Sequence, residues 1–138
     1  MSVDGPSEFK ETTVAYKTAV EFPALHDARY PVHDVASRLE PYLRLIVERF
    51  HPEKIILFGS YAYGQPDAHS DFDLLVVRRD AVSEGESNLQ IRKSFWEIPG
   101  CRPSFTILTK TPARLSERLD AHSPFYEEIV GRVELYAA

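Results

Sequence analysis

Two aspartates at the start of an apolar run, Asp71 and Asp73, offer the clearest potential for chemistry in this chain. Because they are two residues apart, on a β-strand they would point to the same face, with Cα atoms roughly 6.6 Å apart at about 3.3 Å of rise per residue. Such a carboxylate pair suits Mg²⁺, which binds oxygen ligands and is usually held by one or two carboxylates together with substrate phosphates. The carboxylate pair is therefore the candidate metal site and the candidate catalytic site.

A glycine-containing turn precedes the carboxylate pair. Gly59 and Ser60 follow the apolar run 55–58, and a second apolar run, 72–77, contains Asp73. Both runs are short and rich in branched or aromatic residues, which predicts two buried strands. A glycine lets the backbone turn sharply and lets an anionic ligand approach the amides. A phosphate-binding turn beside a carboxylate pair indicates chemistry on a nucleoside triphosphate.

The surrounding sequence predicts the elements that position these residues. Apolar residues between Val35 and Phe50 recur every three or four positions, which indicates an amphipathic helix that ends before Pro52. Pro41 either kinks this helix or begins a second one. Beyond the second strand, the patterns predict a helix around 91–98, a third strand at 105–109, short helices at 112–119 and 124–130, and a final strand at 133–136. This alternation is typical of an α/β fold.

We expect a single nucleotide-handling domain at residues 31–138, with a small mixed β-sheet flanked by helices. The three longer strands should be adjacent in this sheet, with helices on one face. Residues 1–30 show no sustained helical period. We assign them to an N-terminal arm that is irregular or forms an edge strand.

Composition limits the classes of function. The 138 residues carry a formal net charge of −5, which argues against strong nucleic-acid binding, because affinity for a phosphate backbone comes largely from clustered Lys and Arg. The single cysteine, Cys101, has no partner for an internal disulfide and no spaced set of zinc ligands. The sequence shows neither an apolar run long enough for a membrane span nor a signal-peptide pattern. We therefore expect a cytoplasmic protein without a membrane partner.

The motif as a whole resembles a known family signature. Gly-Ser at 59–60, Gly64, and Ser-Asp-Phe-Asp at 70–73 are similar to the signature of the DNA polymerase β-type nucleotidyltransferases, most closely their minimal nucleotidyltransferase (MNT) branch. The resemblance extends from about Val35 to Tyr136. It implies transfer of a nucleoside monophosphate, most often AMP from ATP, to an acceptor hydroxyl, with pyrophosphate as the leaving group.

The resemblance also implies roles for individual residues. Gly59 and Ser60 would bind the β- and γ-phosphates, and Ser70 would join them in the nucleotide-binding site. Asp71 and Asp73 would be catalytic and would hold Mg²⁺. In the MNT branch the usual partner is a small all-helical HEPN-domain protein with toxin-like ribonuclease activity, so the chain resembles the antitoxin of a toxin-antitoxin pair. Association into a homo-oligomer is left open.

The third strand departs from the family's pattern. Enzymes of this type usually carry a third carboxylate there, but residues 103–108 contain no Asp or Glu. Strand alternation leaves Thr106 or Ser104 at this degenerate third-ligand position. A neutral hydroxyl is a poor magnesium ligand, so the metal that activates the nucleophile should be affected most.

A second departure concerns the charge near the phosphates. Tyr63 stands where an arginine is common in the family, which removes one cation. Arg78 and Lys110 are the candidates that could replace it.

Three functions from different classes are compatible with these residues. The first is an active, magnesium-dependent nucleotidyltransferase that modifies a partner protein or another acceptor. The second is a nucleotide-binding regulator weakened by the missing carboxylate, and the third is an interaction domain without nucleotide. The joint presence of Gly59, Ser60, Asp71 and Asp73 argues against the third, and the first is our prediction.

Overall fold

The computed structural model describes residues 20–80 and 83–138. The helices and strands of these ranges are, in chain order, α1 (Ala36–Phe50), β1 (Lys54–Phe58), α2 (Ser60–Tyr63), β2 (Phe72–Val77), α3 (Glu84–Ser94), β3 (Phe105–Lys110), α4 (Pro112–Asp120), α5 (Pro124–Val130) and β4 (Val133–Ala137). Short 3₁₀ helices span Pro23–His26, Pro31–Val35 and Phe95–Glu97. No helix within the described ranges is long and apolar enough to cross a membrane.

The four strands form one mixed sheet in the order β3–β2–β1–β4. β1 pairs antiparallel with β2 and with β4, and β2 pairs parallel with β3. In these pairings Phe58 is opposite Asp73, and Phe72 is opposite Phe105. The end of β1 and the starts of β2 and β3 therefore lie at the same edge of the sheet. The structure confirms the predicted α/β fold with a small mixed sheet.

Helices cover both faces of this sheet, so the expectation of helices on one face was wrong. Leu74 and Val76 lie in the large core that α1 and α3 complete. Leu75 and Val77 instead pack with Ile129 of α5 in a second, smaller cluster. The physical reason is that side chains alternate between the two faces along β2. All four residues are apolar and buried, so other elements must pack against each face of the strand.

The helix α1 runs through Pro41 without a break. Pro41 lies in the second turn of the helix, and its ring is exposed to solvent. Because proline has no backbone N–H, the helix has one backbone hydrogen bond fewer there. The helix ends at His51, which has a left-handed φ of 48° and donates its amide to the Val47 carbonyl at 3.1 Å. Pro52 follows, as predicted.

The described part of the N-terminal arm, residues 20–30, contains the 3₁₀ helix Pro23–His26 and no strand. Phe22 and Leu25 are buried in the large core, so this stretch packs as part of the domain. Residues 1–19, which include the rest of the predicted arm, lie outside the described ranges.

Candidate nucleotide and metal site

Gly59 lies directly against the carboxylate of Asp73. Phe58, the last residue of β1, is the register partner of Asp73, so the chain turns beside that carboxylate. Gly59 has a φ of 77°, and a Cβ atom at this position would lie 1.9 Å from Oδ2 of Asp73. Any side chain would therefore strain the backbone and displace the carboxylate. The contact explains why the turn carries glycine.

Backbone hydrogen bonds hold Ser60 at the start of α2. The Gly59 carbonyl accepts the amides of Ala62 at 3.0 Å and Tyr63 at 3.2 Å, and the Ser60 carbonyl accepts the amide of Gly64 at 2.9 Å. A Cβ atom on Gly64 would come within 2.9 Å of the Ser60 Cα, so the turn is tight at both glycines. Ser60 is thereby fixed next to the end of β1 and close to Asp73.

The carboxylate pair lies at the start of β2, with Asp71 just before the strand and Asp73 within it. Both side chains are partly buried. Burial raises the pKa of Asp73, a hydrogen bond with the Thr106 side chain lowers it, and the nearby charge of Asp71 raises it, with a net upward direction. Two carboxylates that disfavour each other's charge are stabilised by a cation between them. Their oxygen donors fit Mg²⁺.

Of the two residues predicted for the third-ligand position, Thr106 is the one that lies opposite Asp73. In the parallel pairing of β2 and β3 it is the register partner of Asp73. Ser104 instead precedes β3, and its backbone carbonyl accepts the amide of Phe72 at 2.9 Å. Across residues 20–80 and 83–138, no group of three or more His, Cys, Asp or Glu side chains could hold a metal ion. The carboxylate pair therefore has a hydroxyl as its neighbour on β3.

Ser70 shapes the loop that leads into the carboxylate pair. Its hydroxyl accepts the amide of Asp67 at 2.8 Å, and its own amide donates to the Asp67 carbonyl at 3.1 Å. The Asp67 carboxylate in turn accepts the amide of His69 at 2.8 Å. These bonds close a turn immediately before Asp71. The geometry gives Ser70 a structural part, and its role in nucleotide binding stays a prediction.

The two suggested replacement cations do not reach this site. Arg78 follows the far end of β2, is 5% exposed, and donates to Ser87 Oγ at 2.8 Å. Lys110 ends β3, is 4% exposed, and donates to Glu84 at 2.5 Å. Both lie at the edge of the sheet opposite the carboxylate pair. The expectation that Arg78 or Lys110 replaces the arginine common in the family at position 63 was therefore wrong.

Sequence reasoning missed another cation, Arg132. Its guanidinium carbon lies 4.1 Å from the centroid of the Tyr63 ring. The contact exists because β4 pairs with β1, with Val133 opposite Leu57. Two strands that are distant in the chain create it, so no local pattern could have indicated it.

A cleft of about 480 Å³ adjoins Asp71, near the start of β3. We call it the Trp96 groove, and its lining includes Asp71, Arg92, Trp96, Arg102, Ser104 and Phe105. The Trp96 side chain is 71% exposed, and the Arg102 guanidinium lies 3.7 Å from the centroid of its ring system. No local sequence pattern predicted this groove, although the chain's only tryptophan was an available signal.

Comparison with known proteins identifies the family. A family model described as a nucleotidyltransferase domain matches residues 40–130 of the 138-residue chain. The match spans more than half of the chain and includes the Gly59 turn, the carboxylate pair and Thr106. The chain therefore belongs to the nucleotidyltransferase domain family. No curated protein and no solved structure matches it.

Proposed function

We propose that this protein transfers a nucleoside monophosphate, AMP from ATP in the first instance, to a hydroxyl on a partner protein or another acceptor. The proposal depends above all on the contact between Gly59 and Asp73 in a member of the nucleotidyltransferase domain family. The contact brings the proposed phosphate-binding turn against a carboxylate suited to a divalent cation. The two functional halves of the motif are thus juxtaposed in space.

Each residue has a defined part in this proposal. Gly59 lets its backbone lie against Asp73, so β- and γ-phosphates bound at the turn would be next to that carboxylate, and Ser60 can donate its hydroxyl to a phosphate oxygen. Asp71 and Asp73 would hold Mg²⁺. Bound Mg²⁺ would neutralise the triphosphate and lower the pKa of the attacking hydroxyl. In the net reaction the acceptor oxygen bonds to the α-phosphorus, the bond to the bridging oxygen of pyrophosphate breaks, and the hydroxyl proton is released to water.

The positions of the Gly59 turn and the Trp96 groove support a proposal for where the acceptor binds. In an in-line displacement the nucleophile approaches from the side opposite the leaving group. Asp71 lines the Trp96 groove and Gly59 lies against Asp73, so the carboxylate pair connects the groove with the Gly59 turn. We therefore place the pyrophosphate at the turn and the acceptor in the groove. The aromatic face of Trp96 and the guanidinium of Arg102 favour an acceptor with a planar or anionic group.

Transfer of label from ATP tests the proposal. The protein is incubated with Mg²⁺, a cell lysate as acceptor source, and ATP labelled on the α- or the γ-phosphate. Label should pass to an acceptor only from the α-phosphate, with release of pyrophosphate, and Asp73→Asn should abolish transfer. Asp120→Asn, which removes an exposed carboxylate at the end of α4, serves as the matched control. Transfer of the γ-phosphate, or equal transfer by Asp73→Asn, would contradict the proposal.

One observation favours a second function, that of a nucleotide-binding regulator with little chemistry. Thr106, and not a carboxylate, stands opposite Asp73, so the ligand for an activating metal is weak. Such a protein would bind MgATP and control a partner, and a HEPN-type helical protein of a toxin-antitoxin pair is our first candidate. Calorimetry that finds MgATP binding, together with no pyrophosphate release in the presence of that partner, would favour this alternative.

A further inference from the structure

The segment that forms the proposed phosphate site contains no lysine or arginine. Between Gly59 and Asp73 the only charged side chains at neutral pH are the aspartates 67, 71 and 73. A triphosphate carries several negative charges, and protein sites for phosphate commonly use arginine, which forms paired hydrogen bonds with phosphate oxygens. A cation from another part of the fold is therefore needed beside this turn.

The sheet brings Arg132 to the turn. Val133 is the register partner of Leu57, so Arg132 lies beside the end of β1, at the edge of the sheet where Gly59 turns. Its guanidinium contacts the ring of Tyr63 at 4.1 Å, and Tyr63 is the last residue of the helix that Ser60 begins. Tyr63 thus links Arg132 to the short helix that begins with the proposed phosphate ligand Ser60.

Two contacts orient the Arg132 side chain without using all its donors. The guanidinium carbon lies over the Tyr63 ring, and Nη2 of Arg132 donates to the Glu128 carboxylate at 2.5 Å. A guanidinium has five N–H donors, so hydrogen bonds to a ligand remain available. The Arg132 side chain is 35% exposed, which leaves it open to a ligand in solvent.

We infer that Arg132 is a phosphate-binding residue that contacts the β- or γ-phosphate of the nucleoside triphosphate, with Tyr63 as the surface that orients it. The inference rests on the proposed function, because it needs the triphosphate at the Gly59 turn. A planar guanidinium can lie flat on an aromatic ring while its edge binds phosphate oxygens. Arg132 would thereby supply a positive charge near the phosphates, which the neutral Tyr63 side chain does not.

Affinity for different nucleotides tests the inference. Dissociation constants for a non-hydrolysable MgATP analogue and for AMP are measured by calorimetry on the parent protein, Arg132→Gln and Arg114→Gln. Arg132→Gln should weaken binding of the triphosphate by about tenfold or more and leave AMP binding unchanged, because AMP lacks the β- and γ-phosphates. Arg114→Gln removes the same charge from the exposed start of α4 and should change neither constant.

Two further variants keep the test decisive. Tyr63→Arg in the Arg132→Gln background should restore affinity for the triphosphate, because it places a guanidinium on the same helix. Glu128→Gln should tighten triphosphate binding, because it removes the carboxylate that competes for Arg132, and it provides the test if Arg132→Gln does not fold. A parent protein that does not bind the triphosphate would overturn the proposed function itself. A parent that binds it, with unchanged affinity in Arg132→Gln or in Glu128→Gln, would overturn only the role of Arg132.

Discussion

Thr106 stands opposite Asp73 in the parallel pairing of β3 with β2, so its hydroxyl lies on the same face of the sheet as that carboxylate. The hydroxyl lowers the pKa of Asp73 without adding a negative charge. A carboxylate at the same position would instead repel Asp73 until a cation joined them. The residue at position 106 should therefore affect how strongly the carboxylate pair is stabilised by a cation.

Thr106→Asp should increase turnover, because the new carboxylate would face Asp73 and offer a ligand for a second Mg²⁺ beside the attacking hydroxyl. In EDTA the same variant should melt at a lower temperature than the parent, and Mg²⁺ should reverse the loss. Thr106→Asn, which is neutral, is the control for both measurements. If the parent already transfers AMP at a rate that Thr106→Asp does not change, another group activates the nucleophile.

Asp73→Asn should stabilise the metal-free protein at neutral pH. The folded state raises the pKa of Asp73, so stability falls as pH rises from the unfolded value of about 3.9 through the folded value. Asparagine does not ionise, so the variant avoids this loss of stability. Because the side chain is only partly buried, the gain in the free energy of unfolding should stay below about 1 kcal/mol. Urea unfolding in EDTA should show the gain at pH 7 and its disappearance below about pH 3.9. A parent that is more stable than the variant throughout would contradict the assigned pKa direction.

Gly59→Ala should damage both folding and ligand binding. The substitution meets a φ of 77° and a Cβ position 1.9 Å from Asp73 Oδ2, so we expect a loss of about 1 to 3 kcal/mol in the free energy of unfolding. Stabilisation by MgATP should vanish, because the carboxylate must move. Gly85→Ala in α3 is the matched control, since a Cβ there meets nothing within 4 Å. It should raise stability by up to about 1 kcal/mol.

The only tryptophan of the chain makes the Trp96 groove directly observable. An acceptor that enters the groove should change the emission of Trp96, whereas MgATP alone should change it little. Trp96→Ala should raise the KM for the acceptor and leave the dissociation constant of MgATP unchanged. Leu89→Ala is the control, because it truncates an exposed apolar side chain of α3 that does not line the groove. An unchanged KM in Trp96→Ala would place the acceptor elsewhere.

Local patterns predicted those parts of the fold that neighbouring residues determine. The spacing of apolar residues located α1 and the strands, and the Gly-Ser and Asp-x-Asp motifs located the candidate site, which the pairing of β1 with β2 then brought together. Features created by distant pairings escaped prediction. The contact of Arg132 with Tyr63 requires β4 beside β1, and the second apolar cluster requires α5 to fold back over the sheet.

The position of β4 beside β1 also has a consequence for the order of folding. β1 and β2 are consecutive strands, separated only by residues 59–71, and pair antiparallel, so they can form while the following residues are still being synthesised. These two strands already contain the Gly59 turn and the carboxylate pair. Arg132 joins them only when β4 adds to the sheet. During synthesis, the carboxylates of the site should therefore come together before the Arg132 guanidinium joins them. Affinity for a triphosphate would then appear only when the fold is complete.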